Sequence, residues 1–128
     1  MDDVVVDASA LLAVAYAEES AEAVVRRLAD ARCHSTALLQ WELANVTVLR
    51  CRKVPADAPR FLEALAHMLR LPIVLHDVDP LEVVTVAGEH KLTAYDAGYL
   101  WLARALRCPL VTLDRALADA ARTTKPWR

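Results

Sequence analysis

The sequence has little glycine, little cysteine and no long hydrophobic run, and each shortage excludes a class of protein. Only two of its 128 residues are glycine, and neither GxxxxGK[ST] nor GxGxxG occurs, so a glycine-rich phosphate-binding loop is excluded. Cys33, Cys51 and Cys108 lack CxxC or other zinc-site spacing, and we interpret them as buried thiols in a reducing compartment. The HExxH motif of zinc proteases is also missing.

Membrane insertion and secretion are not expected either. The longest uninterrupted apolar run, residues 10–17, is far shorter than the roughly 20 residues of a transmembrane helix. The start Met-Asp-Asp lacks the basic residues that open a secretory signal. We therefore expect a cytoplasmic protein with no membrane partner.

Composition and charge suggest a protein with partners. Apolar residues make up 56% of the chain, more than one domain spanning residues 1–128 can hide in its own core, so part of the excess is expected to face another protein. The net charge of −2 does not indicate nucleic-acid binding by itself. Basic residues do cluster locally, however, in Arg26 with Arg27, Arg50 with Arg52 and Lys53, Arg104 with Arg107, and Arg122 with Lys125 and Arg128.

Short apolar runs alternate with helical patterns, which indicates an α/β fold whose central, mostly parallel sheet is covered on both faces. Strands are predicted over residues 4–7, 33–36, 72–76 and 109–113. Helices are predicted over residues 9–17, 20–32, 37–53, 57–71, from 79 onward, 93–106 and 114–122. The expected buried faces are residues 38, 39, 46 and 49 on the third helix, and 61, 62, 65, 68 and 69 on the fourth. The tail from residue 123 shows no strand signal.

Four acidic residues differ from the other thirteen because each lies inside an apolar run. They are Asp7 after VVV, Glu42 in LLQWELANV, Asp96 in LTAYDAGYLWLA and Asp114 after PLVTL. A buried carboxylate costs several kcal/mol unless something compensates its charge. Three of the four stand at strand-to-helix junctions, which is where an open parallel sheet places its ligand site.

Each of these acids also has a simpler interpretation. Asp7 and Asp114 could be N-caps of the helices that follow them, and Asp96 follows Thr93 at the spacing of a capping box. Glu42 lies within a helix, where only a surface position would explain it without a ligand. Asp79 is better explained as the cap before a proline than as part of a metal-binding run.

Taken together, the four acids predict a site for a divalent cation. Two carboxylates about 4 Å apart repel each other by roughly 4 kcal/mol at an effective dielectric constant of 20, so no fold collects several of them for stability. Mg²⁺ or Mn²⁺ reverses the sign of that interaction and prefers oxygen ligands. Ser9, Asn45 and Thr112 are close enough in sequence to hydrogen-bond the carboxylates or bound water. Asp119 is expected to form a helical ion pair with Arg115.

The motifs VVVDASALLA, WELANV, LTAYDAGYLWLA and LVTLDRALADAA, in this order, resemble the PIN-domain ribonucleases, and most closely the short VapC toxins of VapBC toxin–antitoxin operons. The resemblance extends from residue 4 to about 122. It implies a three-layer α/β/α fold with four to five strands, since many relatives end with a fifth strand. It also implies that Asp7, Glu42, Asp96 and Asp114 are the catalytic metal ligands, with Ser9 and Thr112 as the hydroxyl residues beside them.

The resemblance also implies an activity and partners. These are hydrolysis of RNA phosphodiester bonds with one or two Mg²⁺ or Mn²⁺ ions, a homodimer, and a cognate VapB-type antitoxin whose C-terminal segment covers the active site. Two alternatives stay open at this point. One is a structure-specific DNA nuclease using the same acids, and the other is a PIN-fold binding module without catalytic activity.

Overall fold

The structure, a computed structural model, describes residues 1–123, and in them four parallel strands form one sheet with helices on both faces. The strands are β1 (Asp2–Val6), β2 (Ala31–Thr36), β3 (Ile73–His76) and β4 (Leu110–Val111). The helices are α1 (Ala8–Ala15), α2 (Ala21–Leu28), α3 (Leu39–Lys53), α4 (Ala58–Leu69), α5 (Pro80–His90), α6 (Ala94–Leu106) and α7 (Arg115–Thr123). A single 3₁₀ turn, Pro55–Asp57, connects α3 to α4.

The central strand β1 shows why the sheet needs helices on both sides. Its valines alternate between two cores: Val4 and Val6 pack with residues of α1, α2, α3 and α4, whereas Val5 packs with residues of α5, α6 and α7. All three are almost completely buried. Because both faces of the strand are apolar, the sequence reads as a continuous run rather than an alternating one. The predicted three-layer α/β/α fold class is confirmed.

The strand order β3-β2-β1-β4 determines where a ligand can bind. The chain moves outward from β1 through β2 to β3, and then returns to the other side of β1 to form β4. The order therefore reverses between β1 and β4, and in open α/β sheets the crevice at the carboxyl ends of such strands is the usual ligand site. Val6 of β1 is aligned with Val111 of β4, so the residues that follow both strands emerge side by side.

Two predicted elements are longer than the structure has them, and for the first of these strand pairing overrides helix propensity. The helix predicted over residues 20–32 ends at Leu28, and β2 begins at Ala31, where Ala31 and Arg32 pair with Asp2 and Asp3 of β1. The strand predicted over residues 109–113 contains only Leu110 and Val111. The predicted cap of α5 is confirmed, since the Asp79 carboxylate accepts hydrogen bonds from the backbone N–H groups of Leu81 and Glu82.

The predicted buried faces of α3 and α4 are only partly correct. On α3 the buried positions are Leu39, Leu43 and Thr47, four residues apart, whereas Leu38 and Leu49 are exposed. The predicted stripe therefore combined two faces of the helix.

On α4 the buried residues are Phe61 and Met68, and Leu62 and Leu69 face outward. These outward leucines belong to the apolar excess that the composition already indicated.

Other expectations need correction at individual side chains. Cys33, Cys51 and Cys108 are free thiols, but each is half-buried rather than buried. Asp119 forms its helical ion pair with Arg122, three residues later, instead of with Arg115.

Two further predictions concern the C-terminal tail and the membrane. The sequence predicts no strand from residue 123 onward. Thr123 ends α7, and the residues after it lie outside the described part of the chain. Over residues 1–123, no helix combines the length and hydropathy that crossing a bilayer requires.

Candidate active site

Asp7 is the most constrained of the four acids. It follows β1 directly, it is only 3% exposed, and it caps α1 by accepting a hydrogen bond of 3.1 Å from the Ala10 N–H. Two hydroxyls also donate to its carboxylate: Ser9 Oγ at 2.7 Å from Oδ1, and Thr112 Oγ1 at 2.5 Å from Oδ2. The cap interpretation is therefore correct, yet it accounts for only one of the three donors that hold this carboxylate.

The same hydroxyls connect Asp7 to Asp114 across the β1–β4 boundary. Thr112 Oγ1 accepts from the Asp114 N–H at 3.0 Å, and Ser9 Oγ accepts from the Leu113 N–H at 2.9 Å. Asp114 itself caps α7 through its Oδ1, which accepts from the Leu117 N–H at 2.8 Å. The two short hydroxyl residues thus fix the loop after β4 against the start of α1.

Glu42 and Asp96 come from the first turns of two other helices. Asp96 lies in the first turn of α6, where Thr93 Oγ1 accepts the Asp96 N–H at 3.2 Å, as the capping interpretation predicts. Glu42 lies in the first turn of α3, and its Oε1 is buried with no hydrogen-bond partner among the described residues. A buried carboxylate oxygen without a donor is costly, so Glu42 is the acid that the fold leaves least compensated.

The pKa values of Asp7, Glu42 and Asp96 are affected by the negative charge of neighbouring carboxylates. Burial is the main cause that raises the pKa of Asp7, Glu42 and Asp96. Neighbouring charge adds to it: Asp114 raises the pKa of Asp7 and Asp96, and Asp96 and Asp7 raise that of Glu42. The pKa of Glu42 reaches about 7. Hydrogen bonds that Thr112 and Ser9 donate lower the pKa of Asp7 and so oppose the increase caused by its burial.

Tyr99 is a member of the site that the sequence reasoning missed. Its ring is 1% exposed, and its hydroxyl lies near enough to Glu42 for each group to shift the other's pKa, that of Tyr99 upward. Within residues 1–123, the buried Tyr99 hydroxyl has no hydrogen-bond partner, as is also true of Glu42 Oε1. Tyr99 follows Asp96 by three residues, the helical spacing that places two side chains on one face, and this signal was available in the sequence.

A cavity of about 500 Å³ opens beside Glu42 and Asp96. Its lining residues are Leu38, Trp41, Glu42, Asn45, Thr93, Tyr95 and Asp96. Asn45 is therefore placed where the spacing from Glu42 predicts. The cavity is not lined by the hydrogen-bonded residues that follow β1 and β4, which are Asp7, Ser9, Thr112 and Asp114. The charges of Asp7 and Asp114 nevertheless raise the pKa of Asp96, which does line the cavity.

The donor set fits a hard divalent cation in its chemistry. Every candidate ligand is a carboxylate oxygen, the ligand type that Mg²⁺ and Mn²⁺ prefer, and the mutual repulsion and the orphaned Glu42 Oε1 are what a cation would relieve. Within residues 1–123, however, no three Asp, Glu, His or Cys side chains stand close enough to hold one ion together. Binding therefore requires the carboxylates to approach one another more closely than they do here.

Two histidines that are far apart in sequence meet elsewhere on the sheet. His34 Nδ1 and His76 Nε2 lie 2.8 Å apart across β2 and β3, and His34 Nε2 lies 2.9 Å from Asp3 Oδ1. The hydrogen bond with His34 is the main cause that lowers the pKa of Asp3. Together with Asp3, this pair of histidines connects the three neighbouring strands β1, β2 and β3.

Fold and carboxylate cluster together point to one known family. Residues 4–123 match the PIN domain, and this chain belongs to the PIN-domain family.

Particular relatives are similar over nearly their whole length. Ribonuclease VapC3 of Pyrobaculum aerophilum is 33% identical over 120 residues, which cover 90% of this chain and 92% of that protein. Ribonuclease VapC1 of Mycobacterium tuberculosis is 36% identical over 126 residues, covering 94% and 92%. Among solved structures, PAE2754 from Pyrobaculum aerophilum superposes with a TM-score of 0.76 at 28% identity, covering 94% of this chain and 86% of that one.

Proposed function

We propose that this protein, as a single PIN domain over residues 1–128, is an endoribonuclease that depends on Mg²⁺ or Mn²⁺. We further propose that it is the cytoplasmic toxin of a VapBC-type pair, a homodimer that a VapB-type antitoxin inhibits. The observation that carries the proposal is the group of four carboxylates beside the β1–β4 switch point, in which neighbouring negative charge helps to raise the pKa of Asp7, Glu42 and Asp96. The ribonuclease names of the relatives support RNA as the substrate.

The roles of the residues follow from their contacts. Asp7, Asp96 and Asp114 would hold the cation, with Glu42 joining directly or through water. When bound, the ion supplies Lewis acidity that activates water and polarises the scissile phosphate. Ser9 and Thr112 orient the Asp7 carboxylate and favour its charged form by donating to both of its oxygens. In the absence of a cation, burial and the neighbouring carboxylates raise the pKa of Glu42 to about 7, which favours its protonated form compared with an ordinary glutamate.

RNA cleavage in the presence and absence of metal tests the activity directly. We expect the purified protein to cut single-stranded cellular RNA with Mn²⁺, to stop when EDTA is added, and to resume when Mn²⁺ is added in excess. The same assays on duplex DNA with flaps or gaps test the alternative of a structure-specific DNA nuclease. Cleavage of that DNA alone would favour the DNA nuclease, and a Mn²⁺-induced rise in melting temperature without cleavage of any RNA would favour the binding module.

Replacing the hydroxyl that reaches both Asp7 and Asp114 should weaken metal binding. Thr112→Val keeps the shape of the side chain but removes the donor to Asp7 Oδ2 and the acceptor for the Asp114 N–H. Groups that orient metal ligands are typically worth about 10- to 100-fold in metal affinity. We expect a loss of that size for Mn²⁺, measured by isothermal titration calorimetry. Thr85→Val, an exposed threonine on α5, is the matched control and should bind Mn²⁺ normally; equal affinities for the two variants would remove Thr112 from the site.

A further inference from the structure

Another pocket, lined by two arginines, lies at the far ends of the two helices whose first turns adjoin the carboxylates. It has a volume of about 330 Å³ and is lined by Ala15, Tyr16, Ala17, Arg50, Arg60 and Ala64. The Arg50 guanidinium lies over the Tyr16 ring, 3.6 Å from its centroid, and Arg60 lies 5.4 Å from the centroid of Phe61. The two rings pack edge to face, with centroids 6.0 Å apart. We call these residues the arginine pocket.

The arginine pocket contains hydrogen-bond donors that the fold does not use. Among the described residues, no carboxylate lies within 4.0 Å of the Arg50 guanidinium, and the Tyr16 hydroxyl is buried with no hydrogen-bond partner. Arg60 forms an exposed ion pair with Asp57 at 3.7 Å, a type of pair that contributes little. Stacking on an aromatic ring stabilises a guanidinium but leaves its N–H donors free.

The position of the pocket relates it to the carboxylate site. α1 begins at its cap Asp7 and ends at Tyr16, while α3 carries Glu42 in its first turn and Arg50 in its last. The eight residues from Glu42 to Arg50 correspond to about 12 Å along the helix axis. Because the carboxylates repel a polyanion and the net charge is −2, a fixed cation beside the site is what a nucleic-acid strand would need in order to stay bound.

We propose that the arginine pocket is a phosphate subsite for single-stranded RNA, which binds a backbone phosphate a few nucleotides from the bond that is cut. This assignment rests on the proposed ribonuclease function. Arg50 is held flat by Tyr16 and can donate two parallel hydrogen bonds to phosphate oxygens. Arg60 adds a second guanidinium to the pocket, and the buried Tyr16 hydroxyl becomes a further donor only where the side chains around it move. We favour RNA over an acidic peptide because the pocket lies only about 12 Å along α3 from Glu42 of the proposed ribonuclease site.

Binding of a fluorescein-labelled single-stranded RNA of mixed sequence, followed by fluorescence anisotropy at several salt concentrations, tests the subsite. We expect Arg50→Gln and Arg60→Gln each to weaken binding by about tenfold, the value of one charge-assisted hydrogen bond. The slope of log K against log salt should fall by about 0.7 for each phosphate that the variant no longer binds. In cleavage assays KM should rise while kcat stays unchanged. Arg70→Gln, an exposed arginine at the other end of α4, is the matched control with the same change of charge.

Tyr16→Phe separates binding from packing. It keeps the ring under Arg50 and removes only the hydroxyl, whose burial without a partner costs stability. We expect weaker RNA binding with an unchanged or higher melting temperature. A purely structural role would instead lower the melting temperature of Arg50→Gln and leave RNA affinity and its salt slope unaltered.

The outcomes distinguish failure of the subsite from failure of the nuclease proposal. If the protein cleaves RNA but none of the three variants changes RNA affinity or the salt slope, the subsite is wrong and the nuclease stands. If the protein binds RNA with an Arg50-dependent salt slope but cuts none, the subsite stands and the nuclease is wrong. If Arg50→Gln weakens binding of a glutamate-rich peptide and not of RNA, the pocket binds acidic peptide and the proposal is overturned. No RNA binding by the unaltered protein overturns both.

Discussion

Asp96→Asn should abolish RNA cleavage while leaving the fold intact or slightly more stable. Asparagine has nearly the shape of aspartate, and the capping hydrogen bond from the Asp96 N–H to Thr93 Oγ1 does not involve the side chain that changes. The substitution removes one carboxylate whose pKa is raised by burial and by Asp114 and Asp7, so repulsion in the metal-free protein decreases. Without that charge the site holds a cation poorly. We expect cleavage in Mn²⁺ to fall by about 10²- to 10³-fold, the typical effect of removing one group that stabilises transition-state charge.

Cleavage activity and melting temperature, measured together on Asp96→Asn, distinguish the loss of a metal ligand from damaged folding. Asp79→Asn is the control, since asparagine caps a helix about as well as aspartate and Asp79 lies outside the cavity beside Glu42. It should cleave normally. A fall in activity together with a lower melting temperature for Asp96→Asn would point to damaged folding instead. Unchanged metal-dependent cleavage by a folded Asp96→Asn variant would remove Asp96 from the proposed mechanism.

The sequence predicts most of the fold because its strongest local patterns arise from burial and helix capping. The apolar β-branched run of β1, the Asp79-Pro80 helix start and the alternation of strand and helix all reflect burial or capping that the structure retains. The errors lie where tertiary contacts decide. β2 begins at Ala31 because β1 offers a pairing partner, and no local pattern in residues 29–32 indicates that partner. The exposed positions of Leu38 and Leu49 follow in the same way from which side of α3 packs against α1 and α4.

The acidic residues of the candidate site could be predicted from the sequence, but the contacts between its side chains could not. Composition around Asp7, Glu42, Asp96 and Asp114 indicates that these four acids are unusual, and the switch-point topology brings them into electrostatic contact. Which hydroxyl donates to which oxygen could not be predicted, since Ser9 and Thr112 are separated by 103 residues and meet only through β1–β4 pairing. The arginine pocket is similarly non-local. Arg50 was visible in the sequence as part of a basic cluster, but its stacking on Tyr16 depends on how α1 packs against α3.

Glu42→Gln should stabilise the metal-free protein at pH 8 and lose this advantage in acid. Because the native pKa of Glu42 is about 7 and the ordinary value is 4.5, the folded state binds the proton more tightly than the unfolded state does. The destabilisation by the carboxylate is therefore absent below pH 4.5, grows as the pH rises and is complete above about pH 7. After a discount for the solvent that reaches this half-buried side chain, we expect about 1–2 kcal/mol, or a melting temperature about 3–8 °C higher.

Thermal unfolding in EDTA at pH values from 5 to 8 measures the effect, and Glu63→Gln, an exposed glutamate on α4, is the control for loss of one negative charge. The gap between Glu42→Gln and the unaltered protein should widen with pH, whereas Glu63→Gln should show no such trend. Adding Mn²⁺ should then reverse the order, since the cation stabilises only the protein that keeps its full set of carboxylates. If the two proteins melt alike at pH 8 in EDTA, the Glu42 charge is already compensated inside the fold. In that case Glu42 does not carry an uncompensated charge that a cation would relieve.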